Sequence, residues 1–257
     1  MSLTMPINTF KQALLAGDLQ LGAFLGLADA YSAELMANTA FDWLLIDAEH
    51  GPNDLRSILA QLQALAAYPV KSAVRPPDHN ATTIKRLLDI GVQTLLLPMV
   101  ESAEQARQLV RAMHYPPVGV RGVGGGLARA THWSRVSNYA DAVAEQLCLL
   151  VQIETPAGLQ ELEAICNVDG VDGVFLGPAD LAAALGYFGQ PGHPEVSRVV
   201  EQALSRIRAA GKPAGVYCAD PVMAARYREL GASFFLIAAD TILLRTAADA
   251  QVARFRS

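Results

Sequence analysis

Residues 41–54 read FDWLLIDAEHGPND. A short apolar run, Trp43 to Asp47, ends on a carboxylate and passes through a polar turn closed by Gly51 and Pro52. It then gives way to Leu55, Ile58, Leu59, Leu62 and Leu65, which fall at helical spacing. A strand that leads straight into an amphipathic helix is one βα unit. The pattern recurs in both directions along the chain: the runs Leu21 to Leu27, Val70 to Val74, Thr94 to Leu97, Leu149 to Ile153, Gly173 to Leu176, Ala214 to Tyr217 and Phe234 to Ile237 are each followed by a helical segment. With Trp43 to Asp47 they make eight strands, and 257 residues leave about 32 for each strand, helix and pair of loops. The expected fold is α/β, a (β/α)8 TIM barrel, with an open doubly wound sheet as the alternative. The strands lack strict apolar–polar alternation, as expected when helices cover the outside and neighbouring strands fill the inside. No Pro/Gly/Ser-rich linker divides residues 1–257, which predicts a single domain.

Hydrophobic residues make up 52% of the chain and charged residues 18%, a composition that requires a buried core and excludes disorder. The net charge of −5 leaves no basic footprint for a phosphate backbone, so nucleic acid is excluded as a partner. No apolar run approaches the roughly 20 residues of a membrane helix. The N-terminus, whose first lysine is Lys11, lacks a signal-peptide layout. A cytoplasmic protein without membrane contact is expected. Cys148, Cys166 and Cys218 form no CxxC pair, which speaks against structural zinc and a disulfide framework.

In a barrel of this kind the chemistry sits at the C-terminal ends of the strands. The polar residues expected there are Asp47, Glu49 and His50 after the second strand, Arg75 after the third, Gln152 and Glu154 at the fifth and Asp180 after the sixth, with Asp29, Asp220 and Asp240 at the first, seventh and eighth. Glu154 and Asp180 are 26 residues apart, close to one βα repeat, which places two carboxylates on adjacent strands at one rim. Facing carboxylates repel unless a cation or proton lies between them, and hard oxygen ligands suit Mg²⁺ or Mn²⁺ better than zinc. The competing explanation is helix capping, since both residues flank a proline. His50 follows a strand end beside two acids, and histidine is the side-chain type most suited to proton transfer at physiological pH. Arg75, held extended by Pro76 and Pro77, can hold an oxyanion, pair with Asp47 or Glu49, or do both.

Two other chemistries fit poorly. RGVGGGLAR at 121–129 matches neither GxxxxGK[ST] nor GxGxxG after a strand, which removes the usual grounds for a nucleotide. A Schiff-base enzyme needs a lysine at the rim. Lys11 precedes the barrel, Lys71 and Lys212 enter strands from below, and Lys85 lies within a helix. Enolate chemistry here would lean on a metal as Lewis acid. The long connection between Pro98 and Leu149, which contains Tyr115 to Trp133, is expected to be functional.

Six blocks in order resemble the HpcH/HpaI class II pyruvate aldolases of the phosphoenolpyruvate/pyruvate barrel superfamily. They are FDWLLIDAEHGPND at 41–54, AVRPP at 73–77, LLLPMVES at 95–102, GVRGVGGGLARA at 119–130, VQIETPAG at 151–158 and GVFLGPADLA at 173–182. The resemblance implies Glu154 and Asp180 as ligands of a divalent ion (Mg²⁺, Mn²⁺ or Co²⁺), His50 as general base and Asp89 as the acid that raises its basicity. It further implies Arg75 as stabiliser of the enolate, with Gln152 and the amides of Ala179 and Asp180 holding the pyruvate carboxyl and keto groups. The implied reaction is reversible aldol cleavage of a 4-hydroxy-2-oxo acid to pyruvate or hydroxypyruvate and an aldehyde. An acyl-CoA lyase and a non-catalytic 2-oxo-acid binder are the alternatives. Ala48, where relatives often carry glycine, and the triple glycine Gly124 to Gly126 are expected near the aldehyde side. The resemblance also implies a homo-hexamer, a trimer of dimers that exchanges the last helix.

Overall fold

Eight apolar runs pair in parallel in sequence order, and the eighth returns to the first, closing a barrel. A computed structural model describes residues 3–256. In chain order the elements are α1 (Thr9–Ala16), β1 (Gln20–Leu25), α2 (Ala30–Ala37), β2 (Trp43–Asp47), α3 (Leu55–Leu65), β3 (Lys71–Arg75), α4 (Ala81–Asp89), β4 (Thr94–Leu97) and α5 (Ala103–Met113). After the long connection come α6 (Tyr139–Gln146), β5 (Cys148–Ile153), α7 (Pro156–Gln160), α8 (Leu162–Cys166), β6 (Gly173–Leu176), α9 (Pro178–Ala184), α10 (Pro194–Ala209), β7 (Ala214–Tyr217), α11 (Pro221–Glu229), β8 (Ala232–Ala239) and α12 (Asp240–Arg256). The expected strands stand within two residues of these bounds. The first stops at Leu25 instead of Leu27 because the Asp240 carboxylate takes the Gly26 and Leu27 amides at 2.9 and 3.1 Å, turning the chain away from the sheet.

The period of two along each strand sorts side chains into two layers. Trp43 and Leu45 of β2, Ala73 of β3, Leu150 of β5, Phe175 of β6 and Phe234 and Leu236 of β8 point inward, while Leu44, Ile46, Val74, Leu149, Val151 and Val174 pack outward against the helices. Trp43 and Phe234 are fully buried, their rings 6.2 Å apart, and inward glycines on neighbouring strands, Gly22 and Gly215, leave the room these rings occupy. Phe10 of α1 stacks on Trp43 at 4.9 Å and plugs the base of the barrel. Such aromatics each bury about 150–250 Å², and truncating one to alanine costs on the order of 3–5 kcal/mol. All three cysteines are free and buried.

Two segments depart from the repeat. The long connection follows α5, which descends from the rim, so it lies against α4 and the barrel base: a Cβ on Gly122 would touch Lys85, and one on Gly124 would sit 3.2 Å from Asp89 Oδ2. Within one chain, Gly124 to Gly126 are therefore not on the rim side where an aldehyde was expected, whereas Ala48 is, its amide donating to the Arg75 carbonyl at 2.9 Å. α12 is anchored by buried Asp240 and then runs clear of the barrel, with Ile242, Leu243, Leu244, Val252 and Phe255 exposed.

Candidate active site

The inward alternation that fills the core continues past the last apolar layer into charge. After Trp43 and Leu45 the next inward residue of β2 is Asp47; after Ala73 it is Arg75; after Leu150 come Gln152 and then Glu154. All four are buried, with 2–7% of their surface exposed, so their partners must be within the protein. Arg75 donates from Nε to Asp47 Oδ1 at 2.9 Å and from Nη2 to Asp47 Oδ2 at 2.8 Å, a bidentate fork, and its Nη1 stands 3.1 Å from Glu49 Oε2. Burial opposes the Arg75 charge, yet Asp47, Glu49 and Glu154 together hold its pKa above the ordinary value. A guanidinium carries five N–H groups, so after these three contacts two remain, and Arg75 lines the rim cavity. Salt bridge and anion-holding donor, read from sequence as compatible, coexist. Asp47 Oδ1 also accepts the amides of Glu49 at 3.1 Å and His50 at 3.4 Å, so one carboxylate orients both Arg75 and the turn that carries His50. The capping box of Asp54 and Ser57 starts α3 directly after that turn and keeps it short.

Capping does not occupy Glu154. Thr155 caps α7 and the N-cap of α9 is Gly177, leaving Asp180 in the first turn of α9. Glu154 Oε1 accepts the Met99 amide at 2.8 Å, and Oε2 accepts Gln152 Nε2 at 2.5 Å. Met99 adopts φ +52°, left-handed backbone uncommon outside glycine, as it presents that amide. Burial pushes the Glu154 carboxyl up, and Asp180 and Glu49 add to the shift. Glu49 is raised likewise, by burial, against the pull of Arg75 and His50. Gly177 is required by close approach, since a Cβ there would lie 2.5 Å from Glu154 Oε2. Gln152 Oε1 is buried without a hydrogen-bond partner.

Asp47, Arg75, Gln152, Gly177 and Asp180 line a cavity of about 460 Å³ together with Phe24, Phe175, Tyr217 and Ile242, and Glu154 lies behind Gln152 and Gly177. A buried carboxylate, a second one in electrostatic contact with it and an orphaned amide oxygen form a set of hard oxygen donors that fits a divalent cation of the Mg²⁺ type. Among the described residues no three His, Cys, Asp or Glu converge on one point, so most positions around such an ion would fall to water or substrate.

His50 lines the same cavity with its side chain 68% exposed, Nε2 at 3.7 Å from Glu49 Oε2. Ala179 and Asp180 lie in the first turn of α9, where helix amides lack intrahelical partners. Asp89 is not brought to this site. It ends α4, five residues before β4 enters at the base, and its Oδ1 accepts from Arg121 Nη2 at 2.8 Å. The pairing of His50 with Asp89 is thus not made within one chain, because α4 carries Asp89 away from the rim.

Residues 20–247, nearly the whole barrel, match the HpcH/HpaI aldolase/citrate lyase family. The chain belongs to that family. It is 57% identical over 252 residues to a hydroxypyruvate/pyruvate aldolase of Pseudomonas aeruginosa, covering 98% of this chain and 94% of that one. It is 54% identical over 248 residues to a 4-hydroxy-2-oxo-heptane-1,7-dioate aldolase of Shigella sonnei, covering 96% of this chain and 95% of that one. Among solved structures, an HpcH/HpaI aldolase/citrate lyase family protein of Burkholderia cenocepacia J2315 superposes with a TM-score of 0.93 at 36% identity, covering 97% of this chain and 100% of that one.

For this HpcH/HpaI barrel, sequence reasoning placed Asp47 and Glu49 at the rim without a role beyond pairing Arg75. Their organising part in the turn was readable in principle from the inward register of residues 43, 45 and 47. Phe24, Phe175 and Tyr217 carried no signal separating a cavity wall from a core layer, since all three sit in apolar strands.

Proposed function

We propose that the rim is the active site of a class II pyruvate aldolase, which reversibly cleaves 4-hydroxy-2-oxo acids to pyruvate or hydroxypyruvate and an aldehyde. The observation that carries this reading is Arg75, buried and oriented by two acids, which lines one cavity with Gln152 and Asp180 and interacts electrostatically with Glu154. Glu154 and Asp180 are the residues that would hold Mg²⁺, Mn²⁺ or Co²⁺, and such an ion supplies Lewis-acid polarisation of a chelating 2-oxo acid. The protein's own groups do the rest. The free N–H of Gln152 Nε2 and the Ala179 and Asp180 amides receive the substrate carboxylate and keto oxygens. The free Arg75 donors meet the charge that develops on the enolate oxygen, an effect that in other enzymes is worth about 3–4 kcal/mol per donor. His50, exposed to the cavity, takes the proton of the C4 hydroxyl in cleavage. The Phe24, Phe175 and Tyr217 wall limits water around the reacting carbon.

Asp89 can serve His50 in this scheme only from a second copy of the chain. The exposed apolar residues of α12 support an assembly that exchanges this helix, and we extend the proposal to a homo-hexamer. A reducing, cytoplasmic setting fits three buried free thiols.

The test is methyl-proton exchange of pyruvate in deuterated water with Mg²⁺, Mn²⁺, Co²⁺ or chelator, followed by an aldehyde screen. Exchange that needs the ion and falls sharply in Glu154→Gln and His50→Ala is expected. Chelator-resistant activity abolished by borohydride in the presence of pyruvate would indicate an imine and overturn the class.

A further inference from the structure

We propose that the base of the barrel carries a second small-molecule site, a cavity that takes a small carboxylate with an apolar or aromatic body. The cavity holds about 420 Å³, within the usual range for organic ligands. It opens between the end of α3, the entries of β3 and β4, and the long connection. Ser72 lines it, whereas Arg75, three residues further along β3, lines the rim, so the two sites are separated by about 10 Å of strand.

Arg129 supplies the specificity. Its guanidinium is half-buried, and Nη1 donates to the Ile90 carbonyl at the end of α4 at 2.8 Å. Among the described residues no carboxylate lies within 4.0 Å of it, although the barrel's other half-buried or buried arginines, Arg75, Arg121 and Arg206, each have one. Burial holds Arg129 below its ordinary pKa with no acid opposing the shift. A guanidinium with unused N–H groups facing a cavity matches the planar, two-oxygen geometry of a carboxylate.

The wall beside Arg129 is also conformationally costly. His132, Trp133 and Ser134 adopt φ of +47°, +55° and +67°, three consecutive left-handed residues without a glycine. Such backbone persists only where its surroundings over-determine it, and it clusters at ligand sites. Here it sets the half-buried His132 into the cavity wall. Opposite, Leu62, Leu65 and Val92 form an apolar floor and Tyr139 an aromatic side, suited to the body of the ligand.

The probe is 4-fluorobenzoate, followed by fluorine NMR on the full-length protein in Mg²⁺ with saturating pyruvate to occupy the rim. We expect saturable binding with a Kd of about 1 mM or tighter, weakened roughly tenfold in Arg129→Gln and for the neutral isostere 4-fluorobenzamide. Ala66→Phe, at the exposed C-cap of α3 on the cavity edge, keeps the guanidinium and its bond to Ile90 but fills the space, and binding should disappear. This variant decides the matter if Arg129→Gln fails to fold. A titration that does not saturate, equal binding of the amide, or binding untouched by Ala66→Phe would overturn the proposal.

Discussion

Replacing Asp47 with asparagine separates the two functions that its carboxylate combines. Asparagine keeps one acceptor oxygen for a rim that asks for four bonds: Arg75 Nε at 2.9 Å, Arg75 Nη2 at 2.8 Å, and the Glu49 and His50 amides at 3.1 and 3.4 Å. Its NH₂ would face Arg75 Nη2, donor against donor. Removing one partner of a buried ion pair costs about 3–5 kcal/mol, because the other charge is left without compensation. Here the loss is partial, since Glu49 Oε2 remains 3.1 Å from Nη1. We therefore expect roughly 2–3 kcal/mol, at or just below the low end of that range, and a Tm lowered by about 5–10 °C for a domain of this size. The guanidinium also loses its fixed direction, and misplacement of a catalytic donor by about 1 Å can cost on the order of 100-fold in rate. Thermal unfolding and steady-state aldol cleavage on the same preparation check both numbers, with the rate loss expected in kcat more than in KM. Glu49→Gln in the Asp47→Asn background should be non-additive, because both acids act on one guanidinium. A variant with wild-type Tm and turnover within threefold would refute the reasoning, and lowered stability with intact turnover would reduce Asp47 to a brace.

Gly177→Ala would press a Cβ within 2.5 Å of Glu154 Oε2, so the carboxylate must turn away; calorimetric titration with Mn²⁺ should show affinity weakened roughly tenfold, in line with the loss of a ligand-orienting contact. The Glu163 and Arg206 pair joins α8 to α10 through two bonds of 2.6 Å, and the Arg206 guanidinium holds the Glu163 pKa down at about 2. A carboxyl lowered on folding stabilises above its ordinary value of 4.5, and the gain disappears as pH falls through about 2. Because both side chains are more than a third exposed, the effect at neutral pH should stay below about 1 kcal/mol. The gap in urea midpoint between wild type and Glu163→Gln should narrow on going from pH 7 to pH 3, and a gap that widens would contradict it.

Eight apolar runs, each leading into a helical segment, are a local property of the chain, and they specified the strands to within two residues. The inward register of residues 43, 45 and 47, and of 150, 152 and 154, is equally local, so the rim carboxylates, Gln152 and Arg75 could be placed together before any coordinates. Closure of the barrel decided the rest, because distances between segments far apart in sequence depend on which helix descends where. It turned Arg75 onto Asp47 and Glu49 at once. It carried Asp89 down α4 to a buried arginine on the long connection, and put that connection at the base, although the family resemblance implied its triple glycine near the aldehyde side. It also sent the apolar residues of α12 into the open. Periodicity tells which face of an element a side chain occupies, but only packing determines what that face meets.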